Sequence, residues 1–191
     1  MADDNPTTQL WLVRHGPTEW STTGRHTSVT DLPLLPEGEK AARALAPRLA
    51  DQEFDRVLTS PRLRARRTAV LAGFADATVD EDLAEWSYGT YEGRTTADIR
   101  ESVPGWSVWD DAAPGGETAA EVAARLDRVV AAARAAGGRT LVFAHGHSLR
   151  VLAARWLGLP ASSGRYLRLD TATVSILGYE REAPVVLRWN A

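Results

Sequence analysis

The sequence predicts an α/β fold, a three-layer α/β/α sandwich in which helices cover both faces of a mainly parallel central sheet. Short apolar runs of strand length alternate with helical segments, and helices of this length join parallel strands. The 191 residues, 44% of them hydrophobic, are also enough to bury a sizeable core without cross-links. We expect a single domain over residues 1–191, with a disordered tail at residues 1–8.

The first third of the chain contains one predicted strand and one predicted helix. Residues 9–14 form an apolar run that predicts a buried strand. Residues 22–36 are rich in Gly, Ser, Thr, Asp and Pro without periodicity, which favours a loop. Residues 37–50 predict a helix, because Ala41, Leu45 and Leu49 recur at a spacing of four.

The next unit combines a strand with a helix. Residues 55–59 predict the strand. Ser60 is a favourable N-cap and Pro61 is tolerated at the first helical position, so a helix is expected from here to about Leu71. A short strand is expected at residues 78–79.

The second half carries the strongest helix signal. Thr118 and Glu121 form a capping-box pattern that opens a helix ending near Ala136, before Gly137. Residues 140–144 are the clearest buried strand, and a helix from about residue 148 to 157 follows.

The remaining segments are a hairpin and an irregular stretch. Residues 173–179 and 184–189 predict two strands joined by a turn. Residues 81–94, rich in aromatic residues and glycine, predict irregular structure.

Composition excludes several classes of function. A formal net charge of −3 argues against nucleic-acid binding by bulk electrostatics. The absence of cysteine excludes disulfides, thiolate metal sites and cysteine nucleophiles. Residues 1–9 lack the pattern of a secretory signal, and no apolar run approaches the ~18 residues of a membrane span. We expect a cytoplasmic protein with no membrane partner.

Conspicuous polar residues follow three predicted strands. Arg14 and His15 close the first, Ser60 follows the second, and His145 follows the strand at 140–144. Ligand sites in parallel sheets lie beyond the carboxyl ends of the strands, so these side chains are expected to converge. Together with Arg64 they form a cationic group that would be repulsive without a bound anion, and arginine matches phosphoryl oxygens in a bidentate way.

This constellation suits phosphoryl transfer. A neutral imidazole in such a cradle is a plausible nucleophile toward phosphorus. The helix predicted to start at Pro61 would add partial positive charge. The leaving alkoxide needs a proton, which Glu85 could supply from the irregular segment.

Four motifs in order along the chain resemble the histidine phosphatase superfamily, whose members are phosphoglycerate-mutase-like. They are Arg14-His15-Gly16, Ser60-Pro61-Arg62-Leu63-Arg64-Ala65, the segment around Glu85, and Ala144-His145-Gly146-His147. The resemblance covers almost the whole chain, from about Leu10 to Tyr179.

The resemblance implies a role for each central residue. His15 would be the nucleophile that becomes phosphohistidine. Arg14, Arg64 and His145 would hold the phosphoryl oxygens. Glu85 would protonate the leaving group and later help to activate water. No cofactor is implied, and the partner would be a small phosphate ester.

Within the superfamily, the pattern is most similar to sedoheptulose-bisphosphatase-like and actinobacterial acid-phosphatase-like members. Thr27, Ser60 and Tyr88 match positions that line the substrate pocket there. Thr18 and Ser21 follow the first motif and complete the predicted substrate-binding set. The expected function is therefore hydrolysis of a small phosphorylated metabolite, such as a sugar phosphate or bisphosphate.

Two alternatives are phosphoglycerate mutase activity and broad-specificity acid phosphatase activity. Mutases carry Asn at the position of Ser21, and a longer insertion after the Glu85 segment that supplies basic residues. Here residues 94–116 are short and contain, beyond Arg94, only Arg100 as a basic residue, which favours hydrolysis.

Several residues remain open at this level. His147 is interpreted as structural rather than as a metal ligand, because no carboxylate cluster accompanies it. Trp106 and Trp109 either cover the core, which we favour, or form a lid. Arg150 either contacts substrate or lies on the surface, and most arginines of residues 62–67 are expected to point outward. No metal is expected, and the oligomeric state, homodimer included, is left open.

Overall fold

A computed structural model describes residues 8–191 of the chain. All but the last residue of the tail predicted at residues 1–8 lies outside the described part. The strands are β1 (Gln9–Arg14), β2 (Arg56–Thr59), β3 (Thr78–Val79), β4 (Arg139–Ala144), β5 (Val174–Glu180) and β6 (Ala183–Arg188). The α-helices are α1 (Glu19–Thr23), α2 (Pro36–Leu49), α3 (Leu63–Leu71), α4 (Thr96–Ser102), α5 (Ala119–Ala136) and α6 (Gly146–Trp156).

The strands form one sheet in the order β3-β2-β4-β1-β5-β6. The pairs β1·β4, β2·β4 and β2·β3 are parallel, whereas β5 runs antiparallel to both β1 and β6. The predicted mainly parallel α/β fold and the terminal hairpin are confirmed. The carboxyl ends of β2, β4 and β1 consequently lie side by side at one edge of the sheet.

Helices cover both faces of the sheet. Successive residues of a strand point to opposite faces, so Leu10 and Leu12 of β1 pack in the cluster that contains α5 and α6. Trp11 and Val13 pack in the second cluster, with α2 and α3. This alternation produces the three predicted layers, and it makes β1 and β4 the buried centre of the molecule.

The long helices follow their sequence signals closely. Thr118 caps α5 through a capping box with Glu121, and Gly137 ends the helix. In α2 the buried residue beside Leu45 and Leu49 is Ala42 rather than the predicted Ala41.

The predicted start of α3 is wrong. The helix begins at Leu63 instead of Pro61, and its N-cap residue is Arg62. Ser60 is fully buried and bonds to His145, and the Leu63 N–H donates to Asp31 over 2.7 Å. Ser60 Oγ still accepts the Arg62 N–H over 3.3 Å, but the helix itself starts one residue later, where Asp31 binds its first N–H group.

Two short helices were not predicted, although each has a clear local cap. Thr18 caps α1 and Thr95 caps α4, both through reciprocal capping boxes.

No helix within residues 8–191 combines the length and apolar character that a membrane span requires.

Candidate active site

The carboxyl ends of three neighbouring strands bring the predicted polar residues together. Arg14 ends β1 opposite Ala144 of β4, so His15 and His145 follow at the same level of the sheet. Ser60 follows β2 on the other side of β4. Residues separated by up to 131 positions thereby meet in one place, as the strand-end argument predicted.

The loop after β1 is held rigidly behind His15. The Gly16 N–H donates to Thr68 Oγ1 over 3.1 Å, and that hydroxyl donates to the carbonyl of Arg64 over 2.7 Å. A Cβ atom at Gly16 would lie 2.6 Å from the carbonyl oxygen of Gly38 in α2. Only glycine allows this close approach, which fixes the backbone that carries His15.

The imidazole of His15 is buried, and only one of its ring nitrogens has a protein partner among residues 8–191. Its Nδ1 lies 2.7 Å from the carbonyl oxygen of Gly16. A carbonyl only accepts, so the hydrogen is on Nδ1 and the lone pair is on Nε2. Burial holds the pKa of His15 well below its usual range, and the guanidiniums of Arg64 and Arg14 lower it further, outweighing the bond to Gly16.

His145 faces His15 from the neighbouring strand. The ring centroids are 5.2 Å apart in an edge-on arrangement. His145 Nε2 lies 2.6 Å from Ser60 Oγ, and its Nδ1 is buried without a partner among residues 8–191. Burial, then the charge of Arg64, hold the pKa of His145 well below its usual range.

Arg14 lies against the start of α6. Its Nη1 donates to the carbonyl of Leu169 over 2.6 Å, while Nε is buried without a partner among residues 8–191. A Cβ atom at Gly146 would lie 3.3 Å from Arg14 Cζ. Because Gly146 has no side chain, the guanidinium of Arg14 can lie directly against the start of α6. Burial lowers the pKa of Arg14.

Arg64 is a fully buried cation held by carbonyl groups. Its Nη1 donates to Thr30, and its Nη2 donates to Thr27 and Ser28, over 3.1 to 3.2 Å. Nε has no partner, and Arg64 forms no ion pair with a carboxylate in the described part of the chain. A buried charge is costly without a counterion, so an anion at this place would be strongly favoured.

Glu92 holds the loop that cradles Arg64, a contact that the sequence reasoning missed. Its carboxylate accepts from the Ser28 N–H over 2.8 Å and from the Thr30 N–H over 3.0 Å. The carbonyls of the same two residues bind Arg64. Glu92 lies four positions after Tyr88, and nothing in the sequence distinguished it from an exposed acid.

Glu85 lies at the N-terminus of α6. Its Oε1 accepts from the N–H groups of Trp86 and Ser148, over 2.9 and 2.8 Å, and its Oε2 accepts from His147 N–H over 3.1 Å. A carboxylate oxygen has two lone-pair directions, so Oε2 retains one for a proton. The sequence predicted that the N-terminus of α3 would contribute partial positive charge to the site. The helix N-terminus found there is that of α6, and its N–H groups bind the carboxylate of Glu85.

A cavity of about 420 Å³ opens over these residues. Six predicted residues line it, namely Arg14, His15, Ser21, Thr27, Glu85 and Tyr88. Thr18 and Ser60 do not line it and are fully buried, the first as the cap of α1 and the second against His145. Arg64 and His145 are likewise buried rather than exposed in the cavity wall.

Comparison with known proteins agrees with this geometry. The family described as the histidine phosphatase superfamily (branch 1) matches residues 10–191. The chain belongs to this superfamily. The resemblance seen in the four motifs is thereby confirmed.

This histidine phosphatase is similar to an acid phosphatase of Mycobacterium tuberculosis, with 43% identity over 90% of this chain and 87% of the relative. It is also similar to a sedoheptulose 1,7-bisphosphatase of Saccharomyces cerevisiae, with 39% identity over 78% of this chain and 67% of the relative. A solved structure of an open reading frame product from M. tuberculosis has a TM-score of 0.91 and 40% identity, covering 95% and 96% of the two chains.

An aromatic wall forms the outer part of the cavity of this histidine phosphatase. The hydroxyl of Tyr88 lies 2.6 Å from His147 Nδ1, and the rings of Tyr88 and His26 have centroids 4.6 Å apart. Trp109 stands edge-on to His147, with centroids 5.2 Å apart. Burial holds the pKa of His147 well below its usual range and raises the pKa of Tyr88 well above its own.

The two tryptophans left open by the sequence divide between core and cavity. Trp106 is buried in the core, as favoured, whereas Trp109 also lines the cavity. Arg25, Arg100 and Arg150 line it too, and of these only Arg150 was considered as a substrate contact from sequence. Within the described residues, no group of three or more His, Cys, Asp or Glu side chains is arranged to hold a metal ion.

Proposed function

We propose that this protein is a metal-independent phosphomonoesterase that hydrolyses a small phosphorylated metabolite through a phosphohistidine at His15. The observation that carries the proposal is the state of His15. It is buried and neutral, with Nδ1 bound to the Gly16 carbonyl and the Nε2 lone pair free. The names of the two relatives, an acid phosphatase and a sugar bisphosphatase, support a phosphate ester as substrate and a sugar phosphate or bisphosphate in particular.

In the first half-reaction, Nε2 of His15 attacks phosphorus while the bond to the ester oxygen breaks. The proton on Glu85 Oε2 passes to that oxygen, so the alcohol leaves neutral. Arg14 and Arg64, each with an unpartnered Nε, neutralise the phosphoryl oxygens, and His145 Nδ1 is available as a further contact. The neutral state of His15 keeps its lone pair available for this step.

In the second half-reaction, a water molecule attacks the phosphohistidine. Glu85, now a carboxylate, accepts a proton from the water, and the bond between phosphorus and Nε2 breaks. Inorganic phosphate leaves, His15 returns to its neutral state and Glu85 is again protonated. The three backbone N–H groups on Glu85 keep it in place through both steps.

The buried positions of Thr18 and Ser60 favour supporting roles, whereas Ser21, Thr27 and Tyr88 are placed to contact substrate. Thr18 positions the first turn of α1 by accepting the Ser21 N–H over 3.2 Å. Ser60 orients the ring of His145 through the 2.6 Å bond to Nε2.

Trapping the intermediate tests the proposal. The wild-type protein should hydrolyse p-nitrophenyl phosphate in the presence of EDTA, and quenching in alkali should leave an acid-labile phosphoryl group on His15. His15→Ala should lose activity by about 10³-fold or more and form no adduct, while remaining folded by circular dichroism. Full activity in this variant, a phosphoryl group on another residue, or complete loss of activity in EDTA would contradict the mechanism.

Phosphoglycerate mutase activity is the alternative, and the products distinguish it. A mutase interconverts 2- and 3-phosphoglycerate without net release of phosphate, whereas the proposed enzyme releases phosphate. A broad-specificity acid phosphatase would hydrolyse a panel of esters at similar rates. The short segment 94–116 continues to favour hydrolysis over phosphoryl return.

The remaining features of the proposal concern partners and location. We propose that residues 1–191 act as one catalytic domain in the cytoplasm, on a small-molecule ester and without nucleic-acid or membrane partners. The net charge of −3 supports the first exclusion. The oligomeric state stays open between a monomer and a homodimer, and sedimentation of the purified protein can measure it.

A further inference from the structure

Glu85 lies on a stretch of backbone that has no helix or strand of its own. Residues 84–88 connect two short 3₁₀ turns, and the side chain of Glu85 reaches from there to the N-terminus of α6. In the proposed reaction a proton passes from this carboxyl group to the ester oxygen, and a displacement of about 1 Å can cost a factor of about 10² in rate. Contacts from other elements must therefore hold the backbone that carries Glu85.

The backbone before Glu85 is held by Arg125 of α5. Its Nη1 donates to the carbonyls of Asp82 and Ala84, over 2.7 and 2.8 Å. Its Nε and Nη2 donate to the two carboxylate oxygens of Glu117, over 2.7 and 3.0 Å, and the arginine side chain is only 11% exposed. The planar guanidinium thus binds two backbone carbonyls and a carboxylate at the same time.

The backbone after Glu85 is held by Glu117, the partner of Arg125. Glu117 Oε2 accepts from the Ser87 N–H over 2.8 Å, and the Glu117 N–H donates to the Ser87 carbonyl over 2.9 Å. The Glu117 carbonyl accepts from the indole N–H of Trp86 over 2.9 Å. The Arg125–Glu117 pair therefore binds the chain on both sides of Glu85.

The pair has no direct access to the substrate. Among residues 8–191, the cavity lining includes Glu85 but neither Arg125 nor Glu117. The two opposite charges also lie within 2.7 Å of each other, so they largely compensate. Any effect of the pair on the reaction must therefore act through the backbone that carries Glu85.

Arg128 provides a natural contrast, because it lies on the same helix and contacts the same segment. Its Nε donates to Asp82 Oδ2 over 2.8 Å, and its side chain is 64% exposed. Exposed ion pairs of this kind contribute little to stability. In the described part of the chain, Arg128 forms no hydrogen bond with the backbone of residues 82–87, whereas Arg125 forms two.

We propose that Arg125 and Glu117 are positioning residues that hold Glu85 where its proton can reach the oxygen of the leaving group. This inference rests on the proposed function, in which Glu85 is the acid. His15, Arg14 and Arg64 are held by contacts with other segments, so loss of the pair should leave them in place. The effect should therefore fall on protonation of the leaving group rather than on attack at phosphorus.

Two esters with different leaving groups test the proposal. The ester ratio is defined as kcat/KM for glycerol 2-phosphate divided by kcat/KM for p-nitrophenyl phosphate. Since kcat/KM reports only the steps up to departure of the leaving group, a fall in this ratio measures loss of acid assistance. Arg125→Met keeps an unbranched side chain but removes every hydrogen bond of the guanidinium, and it should lower the ester ratio by about tenfold or more.

The matched control is Arg128→Met, which should leave the ester ratio unchanged. An unchanged ratio in a folded Arg125→Met variant, or an equal fall in the control, would overturn the proposal. If urea denaturation shows that Arg125→Met does not fold, Arg125→Lys takes its place. Lysine keeps the positive charge beside Glu117 but lacks the planar fork, so the ratio should still fall, and a wild-type ratio in Arg125→Lys would then overturn the proposal.

A double-mutant cycle distinguishes positioning of Glu85 from a general structural role. In the Glu85→Gln background no acid remains to be positioned, so adding Arg125→Met should change the ester ratio little further. A fall by the same factor as in the wild-type background would show that Arg125 acts independently of Glu85, and would overturn the proposal.

The same measurements separate this inference from the proposed function. If the wild-type protein does not hydrolyse p-nitrophenyl phosphate, or if Glu85→Gln keeps the wild-type ester ratio, the proposed mechanism fails and this inference fails with it. If Glu85→Gln lowers the ratio but the folded Arg125 variant does not, the proposed function stands and the positioning role alone is overturned.

Discussion

His26 should make the protein less stable in acid, and its removal should reduce that sensitivity. The side chain is 8% exposed, its ring packs on Tyr88 with centroids 4.6 Å apart, and its Nε2 lies 3.3 Å from Thr96 Oγ1. Burial lowers the pKa of His26 from 6.5 to about 4, against a weaker opposite effect of Glu92. The folded state therefore disfavours the imidazolium.

Stability falls in acid because the unfolded chain binds a proton on His26 more readily than the folded protein does. As the pH falls below 6.5, the unfolded chain takes up a proton on His26, whereas the folded protein does so only near pH 4. Between these values the unfolded state gains about 1.4 kcal/mol per pH unit relative to the folded state. Titration of His26 alone therefore lowers the free energy of unfolding by about 2 kcal/mol at pH 5 compared with pH 8. The loss reaches about 3 kcal/mol at pH 4.

Urea denaturation at pH 8 and pH 5, followed by the fluorescence of the seven tryptophans, measures the difference. His26→Gln keeps a polar group near Thr96 but does not titrate, so its loss of stability between the two pH values should be smaller by about 2 kcal/mol. Leu45→Ala is the control, because a core truncation should lower stability equally at both pH values. An unchanged pH dependence in His26→Gln would refute the reasoning.

Three further predictions concern the active site. Glu85→Gln should lower kcat for alkyl phosphates by about 10² to 10⁴-fold, because the leaving alkoxide needs a proton. Hydrolysis of p-nitrophenyl phosphate should be affected far less, since nitrophenolate leaves without a proton. Steady-state kinetics with both esters measures the difference, and an equal loss toward both would contradict the role of Glu85. Glu92→Gln should weaken inhibition by vanadate about tenfold by loosening the loop that holds Arg64, and an unchanged inhibition constant in a folded variant would count against this. Gly16→Ala should cost about 1–3 kcal/mol of stability in urea, because its Cβ atom would lie 2.6 Å from the carbonyl oxygen of Gly38; a stability equal to the wild type would show that the loop adapts.

The elements and the polar residues that gather at the candidate site were largely predictable because their signals are local. The apolar run 140–144 is a strand, and the capping box at Thr118 opens α5. Likewise, an imidazole or a guanidinium at a strand end is visible in the sequence itself. The convergence of His15 and His145 followed from the rule that parallel strands present their carboxyl ends at one edge.

The errors arose where a distant residue decided the outcome. Ser60 has the chemistry of an N-cap, yet its hydroxyl pairs with His145, which lies 85 positions away. The first turn of α3 is bound instead by Asp31, 32 positions from Leu63. Glu92 escaped notice for the same reason, since its role depends on a loop more than 60 positions away.

The sequence by itself determined the order of the strands and long helices, the family and the identity of the polar groups at the strand ends. Only the tertiary structure decided the protonation state of His15, the absence of a protein counterion for Arg64 among the described residues, and the grouping of Arg25, Arg100 and Arg150 around one cavity. The reason is physical: side-chain periodicity and capping act over a few neighbouring residues. Burial and charge interactions instead depend on which distant segments exclude water together.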